Sequence, residues 1–136
     1  MSTLVIDTIR GKTTAGSVTV QGEGSATTNL QQGLLKCFMD LNGTGTIALR
    51  DSFNIASVVD NGTGIYTPSY TNSFSDINYV YAGSAESSTD TQNGRGISGY
   101  STQVLAGSIK IRTGTKSNNS AEDLPHNRMG WWGDLA

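Results

Sequence analysis

The segment Asp60-Asn61-Gly62-Thr63-Gly64 stands between two runs rich in β-branched and aromatic residues, Asn54-Ile55-Ala56-Ser57-Val58-Val59 and Ile65-Tyr66-Thr67-Pro68-Ser69-Tyr70. Asn-Gly readily supplies the positive φ angles that right-twisted hairpin turns demand, so this stretch predicts an antiparallel hairpin. Pro68 has no N–H to give to a ladder, which places its strand at a sheet edge or beside a bulge. Similar short runs recur at Thr46-Ile47-Ala48-Leu49-Arg50, at Asn78-Tyr79-Val80-Tyr81-Ala82, and over residues 100–105 and 108–113. A chain punctuated in this way is expected to be all-β, a small antiparallel β-sandwich or barrel.

Composition points the same way. Charged residues are 15% of the chain, and Thr, Ser, Asn and Gly fill the deficit. Thr suits a pleated surface, whereas Ser and Asn compete with helical hydrogen bonds through their own side chains. Leu, Ile, Val and Phe together are about a fifth of the 136 residues, the edge of the range in which highly charged chains stay unfolded. The net charge is only −2, so the expected result is one folded domain with a thin core.

The N-terminal region reads differently. Leu4, Ile6 and Ile9 on one side of Thr3, Val5 and Asp7 predict a strand, and Ser17-Val18-Thr19-Val20-Gln21 predicts a second. Residues 28–38 form the one helical candidate: Asn29 is placed to cap it, and Leu30, Leu34 and Phe38 recur every fourth position as a stripe suited to a subunit interface. Gly33 in the middle costs about 1 kcal/mol relative to Ala, so such a helix depends on packing. The expected division is residues 1–37 as an attachment and oligomerisation segment and residues 38–136 as the β domain. At the other end Trp131 and Trp132 are adjacent on a predicted strand and must point to opposite faces, one into the core and one outward.

Several function classes are disfavoured. Nine scattered Lys and Arg with a pI of about 5.1 make no basic stripe for nucleic acid. No apolar run is long enough to cross a bilayer as a helix and no secretory leader pattern opens the sequence, so a soluble protein made in the cytoplasm is expected. Cys37, flanked by Leu35 and Phe38, is expected to be a buried thiol.

Motifs that carry chemistry are sparse. Gly94, Gly96 and Gly99 match the spacing of a dinucleotide fingerprint, but Tyr100-Ser101-Thr102-Gln103-Val104 reads as a strand where the mechanism needs a helix. His126 is the only imidazole, no Gly-x-Ser-x-Gly elbow is present, and His126 is expected in a polar loop over residues 114–127. Glu86 and Asp90 are a formal carboxylate pair for glycoside hydrolysis, but the polar surroundings offer nothing to separate their pKa values. Asn42-Gly43-Thr44, Asn61-Gly62-Thr63 and Asn118-Asn119-Ser120 read as turns rather than glycosylation sites. No catalytic residue, metal site or cofactor is expected. Residues 86–99 contain almost no large apolar side chain and read as a long exposed loop, in which Asp90, Gln92, Asn93 and Arg95, with Tyr100 beside them, are candidate receptor contacts.

Three stretches carry a resemblance. They are Thr28-Asn29-Leu30-Gln31-Gln32-Gly33-Leu34-Leu35-Lys36, then Leu41-Asn42-Gly43-Thr44-Gly45-Thr46-Ile47-Ala48-Leu49-Arg50-Asp51-Ser52-Phe53-Asn54-Ile55 with the Asp60-Asn61-Gly62-Thr63-Gly64-Ile65-Tyr66-Thr67 segment after it, and Gly130-Trp131-Trp132-Gly133-Asp134. Together they resemble the short tail-fibre and virion structural proteins of marine and aquatic tailed bacteriophages. The similarity runs over residues 30–82, with both ends matching loosely. The chain departs from that pattern at Phe38-Met39-Asp40-Leu41, where an aromatic residue commonly precedes the Asn-Gly-Thr-Gly turn, and residues 86–99 have no counterpart. The resemblance implies a virion component, a homotrimer whose N-terminal part attaches to other tail or baseplate proteins and whose β domain faces a host receptor or glycan. It implies no catalytic residue. The alternatives left open are a capsid decoration (cement) protein, a polysaccharide depolymerase, and a lectin using Trp131, Trp132, Tyr79 and Tyr81 to stack on sugars.

Overall fold

The computed structural model describes residues 3–12, 18–21, 24–87, 95–116 and 118–136. The chain divides into two compact units, Met1–Leu34 and Leu35–Ala136.

In the first unit β1 (Thr19–Gln21) and β2 (Thr27–Asn29) pair antiparallel, and α1 (Leu30–Gly33) follows directly. Asn29 caps the helix, its side chain accepting from the Gln32 N–H at 3.1 Å. The helix is a single turn, where a longer one with a Leu30, Leu34 and Phe38 stripe was expected. Thr28 belongs to β2, Leu34 has extended dihedrals, and Phe38 lies on a strand of the second unit. Two physical reasons account for this: Gly33 weakens helix propagation, and the period-two alternation that begins at Cys37 wins once partner strands are present. The strand expected around Leu4, Ile6 and Ile9 is absent from residues 3–12, whose apolar side chains stay exposed. None of the described residues up to Leu34 is buried.

The second unit is an all-β sandwich. Its strands are β3 (Cys37–Asn42), β4 (Ala48–Phe53), β5 (Ile55–Asp60), β6 (Ile65–Tyr70), β7 (Val80–Glu86), β8 (Arg95–Leu105), β9 (Ser108–Thr115), β10 (Ser120–Ala121) and β11 (His126–Trp132). One sheet has the order β4-β3-β11-β7; the other runs β10-β9-β6-β5, with β8 also pairing to β9, and all the pairings are antiparallel. The predicted hairpin is β5 and β6. Gly62 and Gly64 take φ of 110° and 64°, and Asp60 Oδ1 accepts the Gly62 N–H at 2.9 Å. Pro68 does not mark an edge. Its strand lies between β5 and β9, and the β5–β6 register shifts beside it, between Ile55 and Ser57.

Asn54 turns the chain from one sheet into the other. It adopts φ of 60°, one of two non-glycine residues with positive φ among those described. Its Nδ2 donates to the carbonyls of Lys36 (3.1 Å) and Asn72 (3.0 Å), and its Oδ1 accepts the Asn72 N–H at 2.7 Å. Asn tolerates this backbone region better than other L residues, and its amide bonds tie three segments into one corner.

The core lies between the sheets. Cys37, Met39 and Leu41 of β3 and Met129 and Trp131 of β11 face Tyr66 and Tyr70 of β6 and Ile109 and Ile111 of β9. Full burial of each such side chain contributes roughly 1.5–3 kcal/mol. Tyr70 is the aromatic hub, meeting Phe74, Tyr79 and Trp131 edge-on at centroid separations of 5.1, 5.9 and 5.8 Å. Edge-to-face packing suits rings with negative faces and positive edges. Cys37 is fully buried, as expected, and burial pushes its thiol up to about 12.

Candidate functional site

The outward face of the β4-β3-β11-β7 sheet is built from the alternate residues that the core does not take. Strand register arranges them in cross-strand rows. Asp51, Asp40, Arg128 and Ser84 form one row; Phe53, Phe38, Gly130 and Ala82 form the next; Trp132 and Val80 lie beyond, and His126 opposes Glu86 at the other end. The face is therefore graded, ionic at one end and apolar at the other.

The middle row makes a depression. Gly130 and Ala82 are small, while Phe38 and Phe53 rise beside them with rings stacked at 6.2 Å. Leu35 and Trp132 lean in from the apolar end, so closely that a Cβ added at Gly130 would lie 2.9 Å from Leu35 Cδ1 and 3.2 Å from the Trp132 indole. The result is an open groove of about 550 Å³. Leu35, Phe38 and Trp132 form its apolar wall, and Asp40, Asp51, Ser84 and Arg128 form its polar wall. Trp132 is 36% exposed and Trp131 fully buried, so the two indoles divide between outside and core as the sequence predicted.

The polar wall is a connected network. Arg128 bridges two carboxylates, bonding Glu86 through Nη1 and Asp40 through Nε at 3.4 Å. Both oxygens of Asp40 also lie 3.2 Å from Nδ1 of His126. The hydrogen bond to Glu86 holds Arg128 further toward its charged form, with desolvation opposing. Arg128 is 46% exposed, so solvent screens these pairs, and their main effect is on side-chain placement rather than on stability. His126 thus corrects the loop expectation: it opens β11 and faces Asp40.

The receptor-contact residues proposed from sequence are not brought together. Asp90, Gln92 and Asn93 lie outside the described residues. Glu86 ends β7 and Arg95 begins β8, so the exposed loop expected over residues 86–99 is replaced at both ends by strand. Arg95 Nε bonds Glu122 at 2.9 Å, and Glu122 is held below the usual carboxylate range by its bonds to Thr115 and then Arg95. Tyr100 is half-buried under Lys110, whose Nζ sits 5.4 Å from the ring centroid. Gly96 and Gly99 are both in β8, which removes the helix that a dinucleotide fingerprint needs. Residues 114–127 are not a free loop either: Leu124 and Asn127 are buried, and Asn127 Nδ2 bonds the carbonyls of Leu41 and Leu124.

Of the four aromatics considered for sugar stacking, Trp131 and Tyr79 are buried and Tyr81 packs against the core, leaving Trp132. Among the described residues no group of three or more His, Cys, Asp or Glu is placed to hold a metal, and no helix is long and apolar enough to cross a membrane.

No protein-family model, curated protein or solved structure matches the chain.

Proposed function

We propose that this chain is a non-enzymatic structural subunit of a bacteriophage virion, a tail-fibre-type protein that assembles as a homotrimer and uses its sandwich for adhesion to a host surface. The virion part rests on the resemblance of the Leu41 to Thr67 region and of the two flanking motifs. The adhesive part is carried by one observation: the graded groove on the β4-β3-β11-β7 sheet, where exposed aromatic side chains stand within reach of a fixed ionic network. Binding sites for small ligands combine these two things, an apolar wall for contact area and a few placed polar groups for orientation.

The non-catalytic reading is supported by the sequence, in which His126 is the only imidazole and no Gly-x-Ser-x-Gly elbow is present. Trimer assembly is supported by the first unit, where Leu4, Val5, Ile6, Ile9 and Val20 are exposed. Association is the ordinary way to cover so many apolar side chains in a segment whose described residues include no buried one.

Cryo-EM or antibody labelling of particles tests the reading. Density on the tail supports it; density on the shell replaces it with capsid decoration, and absence from particles overturns it. Light scattering on the purified chain should give three times 14.3 kDa, and a monomer would remove the trimer.

A further inference from the structure

We infer that the groove on the β4-β3-β11-β7 sheet is a binding site for a neutral hexopyranose unit, which names the ligand class of the adhesive site proposed above and rests on that reading. A pyranose ring has two chemically different aspects. Its faces present C–H bonds, and its rim presents hydroxyls that both donate and accept. The groove offers the matching pair of walls: Trp132 and Phe38 as apolar rings on one side, and Asp40, Arg128 and Ser84 on the other. Asp40 can accept from a sugar hydroxyl, Arg128 can donate to one, and Ser84 can do either. Its volume of about 550 Å³ lies within the roughly 300–1,000 Å³ usual for small-molecule sites.

Charge decides which sugars. The polar wall and its neighbours comprise Asp40, Asp51 and Glu86 against two permanently charged cations, Arg128 in the wall and Arg50, whose Nε donates to the Pro125 carbonyl, with His126 beside Asp40. Excess negative charge disfavours uronic and sialic acids. It does not make the groove a cation site, because Asp40 is engaged by both Arg128 and His126, and an incoming cation would displace them. A hydroxyl adds to this network without breaking it, since carboxylate oxygens accept more than one bond.

Gly130 sets the depth. Across the row it lies between Phe38 and Ala82, and any side chain there meets Leu35 and Trp132. The floor therefore exists only because this position lacks a Cβ.

The test is saturation-transfer difference NMR on the full chain, with the methyl glycosides of glucose, galactose and mannose, methyl glucuronide, and choline chloride as probes. At least one neutral glycoside should receive transfer, at least about tenfold more strongly in affinity than glucuronide or choline. Trp132→Ala, Gly130→Ala and Arg128→Met should each weaken it by about tenfold or more while circular dichroism and melting temperature show a folded protein, and Val59→Ala, an exposed position on β5 of the other sheet, should leave it unchanged. Transfer to no neutral glycoside at millimolar concentration, stronger transfer to choline or glucuronide, or transfer that survives Trp132→Ala and Arg128→Met in folded protein would overturn the inference. Localisation on the particle separates this from the broader reading. Protein found on the tail without sugar binding sinks only the ligand, and sugar binding by a protein absent from the particle sinks only the virion role.

Discussion

Tyr66 and Asp123 meet across 57 residues of sequence: the buried phenol donates to Asp123 Oδ1 over 2.7 Å, and the same oxygen accepts the Gly64 N–H at 2.6 Å. One carboxylate therefore holds the end of the β5–β6 hairpin to the segment that leads into β11. Tyr66→Phe should cost roughly 1–2 kcal/mol in urea denaturation, because the buried bond is lost while the ring is kept. A Cβ at Gly43 would fall 2.3 Å from the Tyr66 hydroxyl oxygen. The double variant Gly43→Ala with Tyr66→Phe should consequently be more stable than the sum of the single losses predicts.

At the sheet-switching corner, Asn54→Ala removes four side-chain bonds and leaves a Cβ at a φ of 60°. It should destabilise by about 2–4 kcal/mol, and Asn54→Gly by about 1 kcal/mol less, since glycine relieves the backbone but not the bonds. Equal melting temperatures for the two variants would show that φ is not the strained coordinate.

Stability should form a plateau in pH. Burial raises Cys37 to about 12, and it also raises Tyr66, Tyr70 and Tyr79. These groups stabilise the fold fully below their unfolded values, and that contribution is lost as pH rises from about 9 through the folded values. Glu122 and Asp76 are lowered, by the bonds from Thr115 and Arg95 and by the Asn78 N–H respectively. Their contribution is present above their unfolded values and fades as pH falls below about 4. Urea midpoints measured from pH 3 to 11, about the range these shifts address, should fall at both ends.

The adjacent tryptophans should respond oppositely. Trp131→Ala should cost about 3–5 kcal/mol, the usual loss for a large buried side chain. Trp132→Ala should cost under about 1 kcal/mol, because its ring lies on the outer face. Comparable losses would place both rings in the core.

Much of the sandwich was legible where alternation and turn chemistry agreed, as in the hairpin at Asn61-Gly62 and the strands around Ile65 and Ile109. The reading failed where two periods overlapped. Leu30, Leu34 and Phe38 fit a helix, while Cys37, Met39 and Leu41 fit a strand, and local sequence does not contain the partner strands that decide between them. The groove was missed for a different reason. Its walls come from β3, β7 and β11, far apart in sequence, and only register brings Phe38, Ala82 and Gly130 into one row. A trace of it was present: Arg128, Gly130 and Trp132 occupy one face of a predicted strand, an unusual sequence of charge, void and ring.

Among the described strands β11 is the last in order, yet it occupies an interior position of its sheet, between β3 and β7. Until residues 126–132 have been synthesised, the β3–β4 hairpin has no bridge to β7, and the side of the core lined by Met129 and Trp131 stays open. A product that stops before this strand therefore leaves one side of the apolar core open to water, a surface of the kind that proteases and chaperones engage.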